Sequence, residues 1–306
     1  MDKFELNILG CGSATTSLRH MPSCQVLDIR DNLFMIDCGE AAQLAMLRQR
    51  LKFVRLNHIF ISHLHGDHCF GLPGLLSTLD LHGRTGPLVI HINADGAKHF
   101  GDFFDFFLKK CSYKIEFNVF SSRKAVIYDD DAITVTAIPL KHKVPTMGFV
   151  FAEKPKLRHI NGEMAKFHHV PVYRLNGLRQ GEDFVTPDGN TIPNSVLTTD
   201  ADPSISYAYC SDTAYSPRLA SMLNAPTWLY HEATYGDEFA ALAKKRGHST
   251  ARQAAEIALQ CGASNLILGH YSKRYTDETP LLHEAEQTFH GRILLANEGL
   301  KVDLTK

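Results

Sequence analysis

The amino-acid sequence predicts an α/β fold built from short strands and amphipathic helices. Apolar runs of strand length dominate up to Asp37, and helical spacing of apolar residues appears from Glu40 to Arg50 and from Leu72 to Leu81. Strands and helices then alternate. Polar side chains capable of chemistry also follow the ends of several apolar runs, which is where open α/β sheets place their functional residues.

Length and composition fit one large domain that carries an insertion. The chain has 306 residues, a formal net charge of −1 and seven cysteines. This length can bury a substantial core, and seven scattered cysteines without a Cys-x-x-Cys pair argue against a disulfide framework. No signal-peptide pattern follows Met1, and no apolar run approaches the roughly 20 residues that span a bilayer. We expect a cytoplasmic protein without membrane attachment.

One predicted helix carries a broad aromatic face. The segment from Asp95 to Lys110 contains five phenylalanines at helical spacing. A stripe of this kind is typical of a core or a subunit contact rather than of a ligand site. We interpret the scattered histidines outside the motifs below as ordinary surface or core residues, among them His58, His82, His91, His99, His283 and His290.

The most informative motif is His-Leu-His-Gly-Asp-His at 63–68, directly after the apolar run from Leu56 to Ile61. Neutral imidazole and carboxylate are ligands that suit zinc at about 2 Å, and Gly66 permits the tight turn that the motif requires. A polar surface loop is the alternative, but this order of residues is seldom met by accident. The candidate ligands are His63, His65, Asp67 and His68.

Four ligands on one loop do not complete two metal shells, and three later apolar runs are each followed by another candidate. Their shared position beyond the end of a strand strengthens all three candidates. The pairs are Ala132 to Leu140 with His142, Ser206 to Cys210 with Asp212, and Asn265 to Leu268 with His270.

This set of motifs resembles the metallo-β-lactamase superfamily in its dinuclear zinc form. The resemblance implies an αββα four-layer sandwich with two zinc ions per chain at one sheet edge, although imidazole and carboxylate also accept manganese or iron. It implies one zinc held by His63, His65 and His142, the other held by Asp67, His68 and His270, and Asp212 as the bridge between them.

Two further motifs resemble the HEAT and HST loops of ribonuclease Z, the endonuclease that trims the 3′ trailer from precursor tRNA. They are His-Glu-Ala-Thr at 231–234 and His-Ser-Thr at 248–250. The resemblance implies that Asp67 takes the proton of the attacking water, while His248 protonates the leaving oxygen with Glu232 as its orienting partner. Ser249 or Thr250 can also cap the helix that follows, and both interpretations can hold at once.

The resemblance extends to candidate contacts with the RNA. Residues 10–14 match the family's opening glycine loop, although Thr15 stands where a proline is usual and Arg19-His20 replaces Arg-Asn. Ser272 and Arg274 fit the family's Ser-x-Arg pattern, which implies that Arg274 lies near the scissile phosphate. A solvated Lys273-Arg274 pair is the alternative.

An inserted segment at 153–194 corresponds in position to the family's protruding arm, or exosite, which grips tRNA. It spreads basic residues along its length, of which Lys154, Lys156 and Lys166 are candidate contacts. Its tip departs from the family's Gly-Pro-rich form, because it is reduced to His169 to Val172. The alternative is a polar insertion without function, which is uncommon at this length.

The function implied by the resemblance is a zinc-dependent endoribonuclease that leaves a 3′-OH on the tRNA and a 5′-phosphate on the trailer. Its expected partners are precursor tRNA and a second copy of the chain, since short enzymes of this family are usually homodimers. One alternative is a small-molecule phosphodiesterase or another hydrolase of the same superfamily. A non-catalytic tRNA-binding module is a further alternative, although all seven ligands are intact.

Overall fold

The computed structural model describes residues 3–108 and 110–306, so Met1, Asp2 and Lys109 lie outside the described residues. The chain divides into two compact units. The larger, which we call the sandwich unit, comprises the chain up to Asp130, Thr134–Phe151 and Ile205–Lys306. The smaller, which we call the insertion unit, comprises Asp131–Ile133 and Ala152–Ser204.

The first sheet of the sandwich unit has seven strands. The last strand of the chain pairs antiparallel with the first, and the first three strands pair antiparallel in order. Each of the next three strands then pairs parallel with the strand before it. In order across the sheet the strands are Lys301–Asp303, Phe4–Gly10, Cys24–Ile29, Asn32–Ile36, Leu56–Phe60, Leu88–Ile92 and Ile115–Val119.

The second sheet also has seven strands, and its first four run parallel. The carboxyl ends of those four strands therefore lie at one edge. In order across the sheet the strands are Arg292–Leu295, Asn265–Gly269, Trp228–Glu232, Ser206–Cys210, Met147–Glu153, Ile133–Pro139 and Ala125–Asp129.

The two sheets pack face to face through aromatic side chains. The Phe60 ring lies 5.5 Å from that of Phe149 and 5.2 Å from that of Phe151, measured between centroids. The Tyr209 hydroxyl of the second sheet donates to Asp37 Oδ2 of the first at 2.7 Å. Burial of these rings supplies much of the driving force for the contact.

Helices cover the outer faces. In the helix Leu72–Leu81 the buried leucines recur at the spacing of one helical face, so this helix packs on the first sheet. The helix Ala251–Cys261 packs on the second sheet, and a capping box at Thr250 fixes its start. The remaining helices of the sandwich unit are Ala42–Arg48, Gly66–Cys69, Ala94–Phe107, Ala220–Leu223, Ala240–Arg246 and Thr279–Glu286.

This arrangement of helix, sheet, sheet and helix confirms the predicted αββα sandwich. The predicted aromatic helix is Ala94–Phe107, somewhat shorter than expected, and it buries Phe104 while Phe106 and Phe107 stay exposed. Its aromatic face is thus divided between core and surface. Within residues 3–108 and 110–306, no helix is both long and apolar enough to cross a membrane.

The insertion unit contains the predicted 153–194 segment and has a small core of its own, formed by Leu178, Phe184 and Leu197. The buried Asn194 amide donates to the carbonyl oxygens of Leu178 and Glu182, which fixes the unit internally. Its helices are Gly162–Phe167, Leu175–Arg179 and Asn194–Leu197, and its paired strands are His159–Ile160 with Thr198–Thr199 and Phe184–Val185 with Thr191–Ile192.

Candidate metal centre and active site

All seven predicted metal ligands lie together, at the edge where strands of both sheets end. Their ligand atoms form two groups, and within each group every atom lies within 4.8 Å of the others. Asp212 belongs to the first group and extends toward the second. The groups are His63, His65, His142 and Asp212, and Asp67, His68 and His270.

Asp212 joins the two groups through its two carboxylate oxygens. Oδ2 lies 3.6 Å from His63 Nε2 and 3.7 Å from His142 Nε2. Oδ1 lies 3.1 Å from His270 Nε2 and 3.4 Å from His68 Nε2. One carboxylate therefore faces both sets of imidazoles, as the bridging position requires.

Local backbone geometry brings the ligands to this edge. A Cβ at Gly66 would lie 2.5 Å from the exposed Phe70 ring, so glycine lets this ring pack against the loop between His65 and Asp67. His270 follows the strand Asn265–Gly269 and has a left-handed backbone with φ of 61°. A non-glycine residue in this region is strained, and such strain is common at functional sites.

Most of the five ligand imidazoles are oriented by a hydrogen bond to their other nitrogen. His68 Nδ1 pairs with Asp37 Oδ2 at 2.7 Å, and His142 Nδ1 pairs with the Gly247 carbonyl oxygen at 2.7 Å. His270 Nδ1 lies 2.9 Å from Thr234 Oγ1. Metal-bound histidines are typically held in this way, because the bond fixes the tautomer and the ring direction.

Five of the atoms that face the centre of the site have no hydrogen-bond partner, whereas His63 Nε2 and His65 Nδ1 face each other at 3.0 Å. Buried polar atoms are nearly always hydrogen-bonded, so five orphans at one place call for a bound group. The separations of 3.0 to 3.7 Å between facing atoms match the edge of about 3.3 Å expected for a tetrahedron with bonds near 2 Å. The orphaned atoms are Asp67 Oδ2, His68 Nε2, His142 Nε2, Asp212 Oδ1 and His270 Nε2.

Electrostatics favour the metal-binding protonation state at three of the histidines and at the two carboxylates. At His68, burial alone would lower the pKa, but the surrounding carboxylates outweigh it and raise the pKa. Burial lowers the pKa of His63, His65 and His142, which keeps these imidazoles neutral. Burial alone would raise the pKa of Asp67 and Asp212, but the neighbouring imidazoles outweigh it and lower both. Neutral imidazole and ionised carboxylate are the ligand forms.

A second functional pair lies beside the metal centre. His248 Nδ1 is 2.9 Å from Glu232 Oε1, and the fully buried Glu232 also accepts from Thr213 N and from Thr234 Oγ1. Burial lowers the pKa of His248, but the Glu232 carboxylate outweighs it and raises the pKa to about 9. His248 is therefore a protonated imidazole near neutral pH, 4.0 Å from Asp212 Oδ2.

The metal centre and the His248 pair open into one cleft of about 330 Å³. Residues 13–15 of the glycine loop line it, and Gly12 and Ser13 are held by backbone bonds to Met21 and Tyr271. The cleft is lined by Ser13, Ala14, Thr15, His65, His142, Lys143, Asp212, Thr234, Tyr235, Arg246, His248, His270 and Ser272.

Of the predicted RNA contacts in the sandwich unit, one lines the cleft and the two arginines contact other side chains. Ser272 lines the cleft, whereas the Arg19 guanidinium makes two 2.8 Å bonds to the Glu278 carboxylate. Arg274 lies over the Phe239 ring, 4.5 Å from its centroid.

The predicted lysine contacts all belong to the insertion unit. Lys156 pairs with the buried Glu153 at 2.9 Å, and Lys154 donates its backbone N–H to Ala132. Lys166, in contrast, is exposed.

Several residues of the site were missed by sequence reasoning. Asp37 follows the strand Asn32–Ile36, so the same strand-end pattern that pointed to Asp212 could have found it. Asp37 accepts from Ser62 as well as from His68. Gly247, whose carbonyl holds His142, carries no local signal of that contact.

Comparison with known structures places this geometry in a known class. Human tRNase Z, short form, superposes with a TM-score of 0.70 at 22% identity, covering 98% of this chain and 99% of that one. The metallo-beta-lactamase fold protein YhfI from Bacillus subtilis superposes with a TM-score of 0.69 at 18% identity, again covering 98% and 99%. The chain therefore has the metallo-β-lactamase fold, with a metal-ligand cluster at its sheet edge.

Sequence comparison defines the family. Ribonuclease Z of Bacteroides fragilis strain YCH46 is 50% identical over 305 residues, which cover 99% of this chain and 100% of that one. Ribonuclease Z of Parabacteroides distasonis is 49% identical with the same coverage. A family model described as Anti-Pycsar protein Apyc1 also matches, over residues 4–100. The chain belongs to the ribonuclease Z family, which confirms the predicted resemblance.

Proposed function

We propose that this protein is a metal-dependent endoribonuclease that removes the 3′ trailer of precursor tRNA, leaving a tRNA 3′-OH and a 5′-phosphate on the trailer. The observation that carries the proposal is that His248, which is bonded to Glu232, lines the same cleft as four of the candidate metal ligands, His65, His142, Asp212 and His270. Such a cleft provides both an activated nucleophile and an acid for the leaving group. Family membership supplies the substrate class.

The ligand set fits two zinc ions per chain, because five buried donor atoms lack partners and the ligands divide into two groups. His63, His65 and His142 would hold one ion, Asp67, His68 and His270 the other, and Asp212 both. When bound, the ions would neutralise charge on the phosphate and acidify water near neutral pH.

The chain's own residues then carry the protons. Asp67 Oδ2 faces His68 and His270, which leaves Oδ1 to accept a proton from the attacking water. His248 uses Nδ1 to bind Glu232, so Nε2 is the atom that donates a proton to the departing 3′ oxygen. Acid assistance of this kind typically accelerates a reaction by about 10² to 10⁴.

The insertion unit is proposed as the arm that contacts the precursor away from the cut. Lys166 is exposed there, and so are the large apolar side chains Phe167, Val172 and Tyr173, which lie in the predicted tip or close beside it. Exposed aromatic rings beside a cation are suited to RNA, since bases stack on them. Replacing Lys166 and Tyr173 by alanine should raise KM for precursor tRNA more than for a small diester.

We also propose a homodimer. Leu44 and Leu47 on one helix and Phe103, Phe106 and Phe107 on another are exposed apolar side chains of the sandwich unit. The Phe107 ring contacts the rings of Phe103 and Phe106, at 4.4 and 4.7 Å between centroids, and contiguous apolar surface typically marks an interface. Sedimentation of wild type and a Phe106→Glu variant tests the assembly, since only the charged variant should become monomeric.

All seven cysteines are free, which supports a reducing, cytoplasmic location.

The test of function is cleavage of a 3′-extended precursor tRNA by zinc-loaded protein, run beside bis(p-nitrophenyl) phosphate. The expected result is one cut after the discriminator nucleotide, which leaves a 3′-OH. Hydrolysis of the small diester with the tRNA untouched would instead favour the small-molecule phosphodiesterase. Binding of tRNA without hydrolysis of either substrate would favour the non-catalytic module.

A further inference from the structure

Two cations that sequence reasoning did not single out line the cleft. Lys143 and Arg246 lie there with His142 and His248. Both side chains belong to exposed residues. In the part of the chain that the structure describes, neither cation has a carboxylate partner. Two unpaired positive charges therefore face the space that the substrate must enter.

One hydrogen bond joins the two segments of the chain that carry the cations. His142 Nδ1 donates to the Gly247 carbonyl oxygen at 2.7 Å, Lys143 follows His142, and Arg246 precedes Gly247. Gly247 has φ of 81°, and a Cβ there would lie 2.9 Å from His142 Nδ1. Glycine at this position lets the helix Ala240–Arg246 end against His142, so the two cations flank the bonded pair.

The segment before His142 is anchored as well. Lys141 N donates to Thr213 Oγ1 at 3.1 Å, and Ala214 N donates to the Lys141 carbonyl oxygen at 2.7 Å. Thr213 lies next to the ligand Asp212. The backbone that carries Lys143 is therefore held by the same residues that build the metal centre.

Other cations near the site have different contacts. The Arg19 guanidinium is neutralised by Glu278, and Arg274 lies over Phe239. Lys143 and Arg246 are thus the cations of the cleft wall that remain available to an anion. Nucleic-acid affinity depends on such local contacts between cations and phosphates rather than on net charge.

We propose that Lys143 and Arg246 form a phosphate-binding rim, which holds the phosphates of the RNA backbone next to the scissile diester. This inference rests on the proposed function, because it assigns the ligand as a chain of phosphodiesters rather than a single one. The rim favours substrates that extend beyond the bond being cut. A compact diester that fills only the metal centre gains little from it.

The test uses Lys143→Ala, Arg246→Ala and the double variant, with Lys245→Ala as the matched control. Lys245 is an exposed cation one residue from Arg246 that does not line the cleft. Each rim variant should lower kcat/KM for precursor tRNA by about tenfold, because a charge-assisted bond is lost. Its dependence on log salt concentration should become shallower by about 0.7 per residue.

The controls separate a phosphate contact from a structural role. Lys245→Ala should match wild type, and Arg246→Lys should recover part of the loss. Rim variants that match Lys245→Ala in both rate and salt dependence would overturn the proposal. An equal loss for precursor tRNA and for bis(p-nitrophenyl) phosphate, or loss of bound metal, would also overturn it, because the residues would then support the centre itself.

A competition experiment keeps the test independent of tRNA recognition. A short single-stranded RNA should inhibit hydrolysis of bis(p-nitrophenyl) phosphate by wild type, and the double variant should need about 10² times more RNA. If wild type left precursor tRNA uncut but showed this difference, the proposed substrate would be wrong and the rim would stand. Equal inhibition of wild type and double variant would remove the rim whatever the tRNA result.

Discussion

The metal centre and the His58–His91 pair are two clusters of histidines that differ in their hydrogen bonds. In the metal centre, the Nε2 atoms of His68, His142 and His270 are buried without partners. Between the sheets, Asn118 Nδ2 donates to His91 Nδ1 at 3.0 Å, so His91 Nε2 carries the proton and donates to His58 Nδ1 at 3.1 Å. The first group is incomplete and the second is satisfied.

This difference shows how a ligand is told from a core histidine. Burial does not separate the groups, and neither does the pKa, because burial lowers the pKa of His63 and also that of His58 and His91, to about 4 and about 3. The unpaired atoms separate them. A buried nitrogen with no partner is costly unless something binds it. His231 Nε2 is a single buried nitrogen without a partner, whereas the metal centre brings three such nitrogens together with two unpaired carboxylate oxygens, so the metal centre is the group that fits an ion.

The largest expected effect follows removal of the carboxylate that joins the two ligand groups. Asp212→Ala should release metal and reduce hydrolysis of any diester by at least about 10³-fold, because acidified water is the nucleophile. Metal analysis of purified protein, with diester hydrolysis, checks this. The alanine variant of Asp202, an exposed carboxylate of the insertion unit, should keep its metal. Retention of two ions by Asp212→Ala would contradict the bridging position.

The next effect concerns the histidine that lies beside the centre without belonging to either ligand group. His248→Ala should retain both ions and lower cleavage of precursor tRNA by about 10² to 10⁴, because the leaving oxygen loses its acid. Hydrolysis of bis(p-nitrophenyl) phosphate should fall far less, since nitrophenolate departs without a proton. Rates for both substrates, with metal content, check this. Equal losses for both substrates would show that His248 is not the acid.

A smaller effect is expected at the residue that orients a ligand. Asp37→Asn keeps the left-handed backbone, with φ of 55°, which asparagine tolerates. An amide nitrogen in place of Oδ2 would oppose the donors His68 Nδ1 and the Tyr209 hydroxyl, and in place of Oδ1 it would oppose Ser62 N–H, so either orientation disturbs the support of His68. Metal affinity should fall about 10- to 100-fold.

Chelator competition measures the change at Asp37. Asp28→Asn is the matched control, since Asp28 is also a buried carboxylate of the first sheet but pairs with Lys3 and Arg55. That control should leave metal affinity unchanged. Unaltered affinity in Asp37→Asn would mean that ring orientation at His68 does not depend on this bond.

The fold could be predicted from sequence because apolar periodicity and strand ends are local signals. The predicted run from Ser206 to Cys210 is the observed strand, and the predicted helix from Leu72 to Leu81 is the observed helix. Because the ligands follow strand ends, the correct strand predictions also indicated where the ligands lie. The aromatic helix, Ala94–Phe107, shows the limit, since it ends at its last phenylalanine, short of the predicted bound at Lys110.

The supporting residues could not be predicted, because their partners are distant in the chain. His142 meets Gly247, which lies 105 positions away, and Arg19 meets Glu278, which lies 259 positions away. Such pairs depend on how the sheets and loops pack, and no local pattern records them. From the sequence alone, Arg19 is an arginine in a loop and suggests an RNA contact. In the fold its charge is matched by the Glu278 carboxylate.

The smallest effect on activity is expected from the satisfied histidine pair, whose contribution is to stability. Because the folded pKa of each imidazole lies below the ordinary value, stability is intact above about pH 6.5. It decreases as pH falls toward about 4 for His58 and about 3 for His91, by ~1.4 kcal/mol per pH unit for each group.

His58→Gln keeps an acceptor for His91 Nε2 and removes one such group. Denaturant unfolding from pH 7 to 4.5, with EDTA present, should show a pH dependence weaker by up to ~1.4 kcal/mol per unit, while metal content at neutral pH matches wild type. An unchanged pH dependence would mean that His58 is already protonated in the folded chain, and loss of metal would mean that the two histidine groups are coupled.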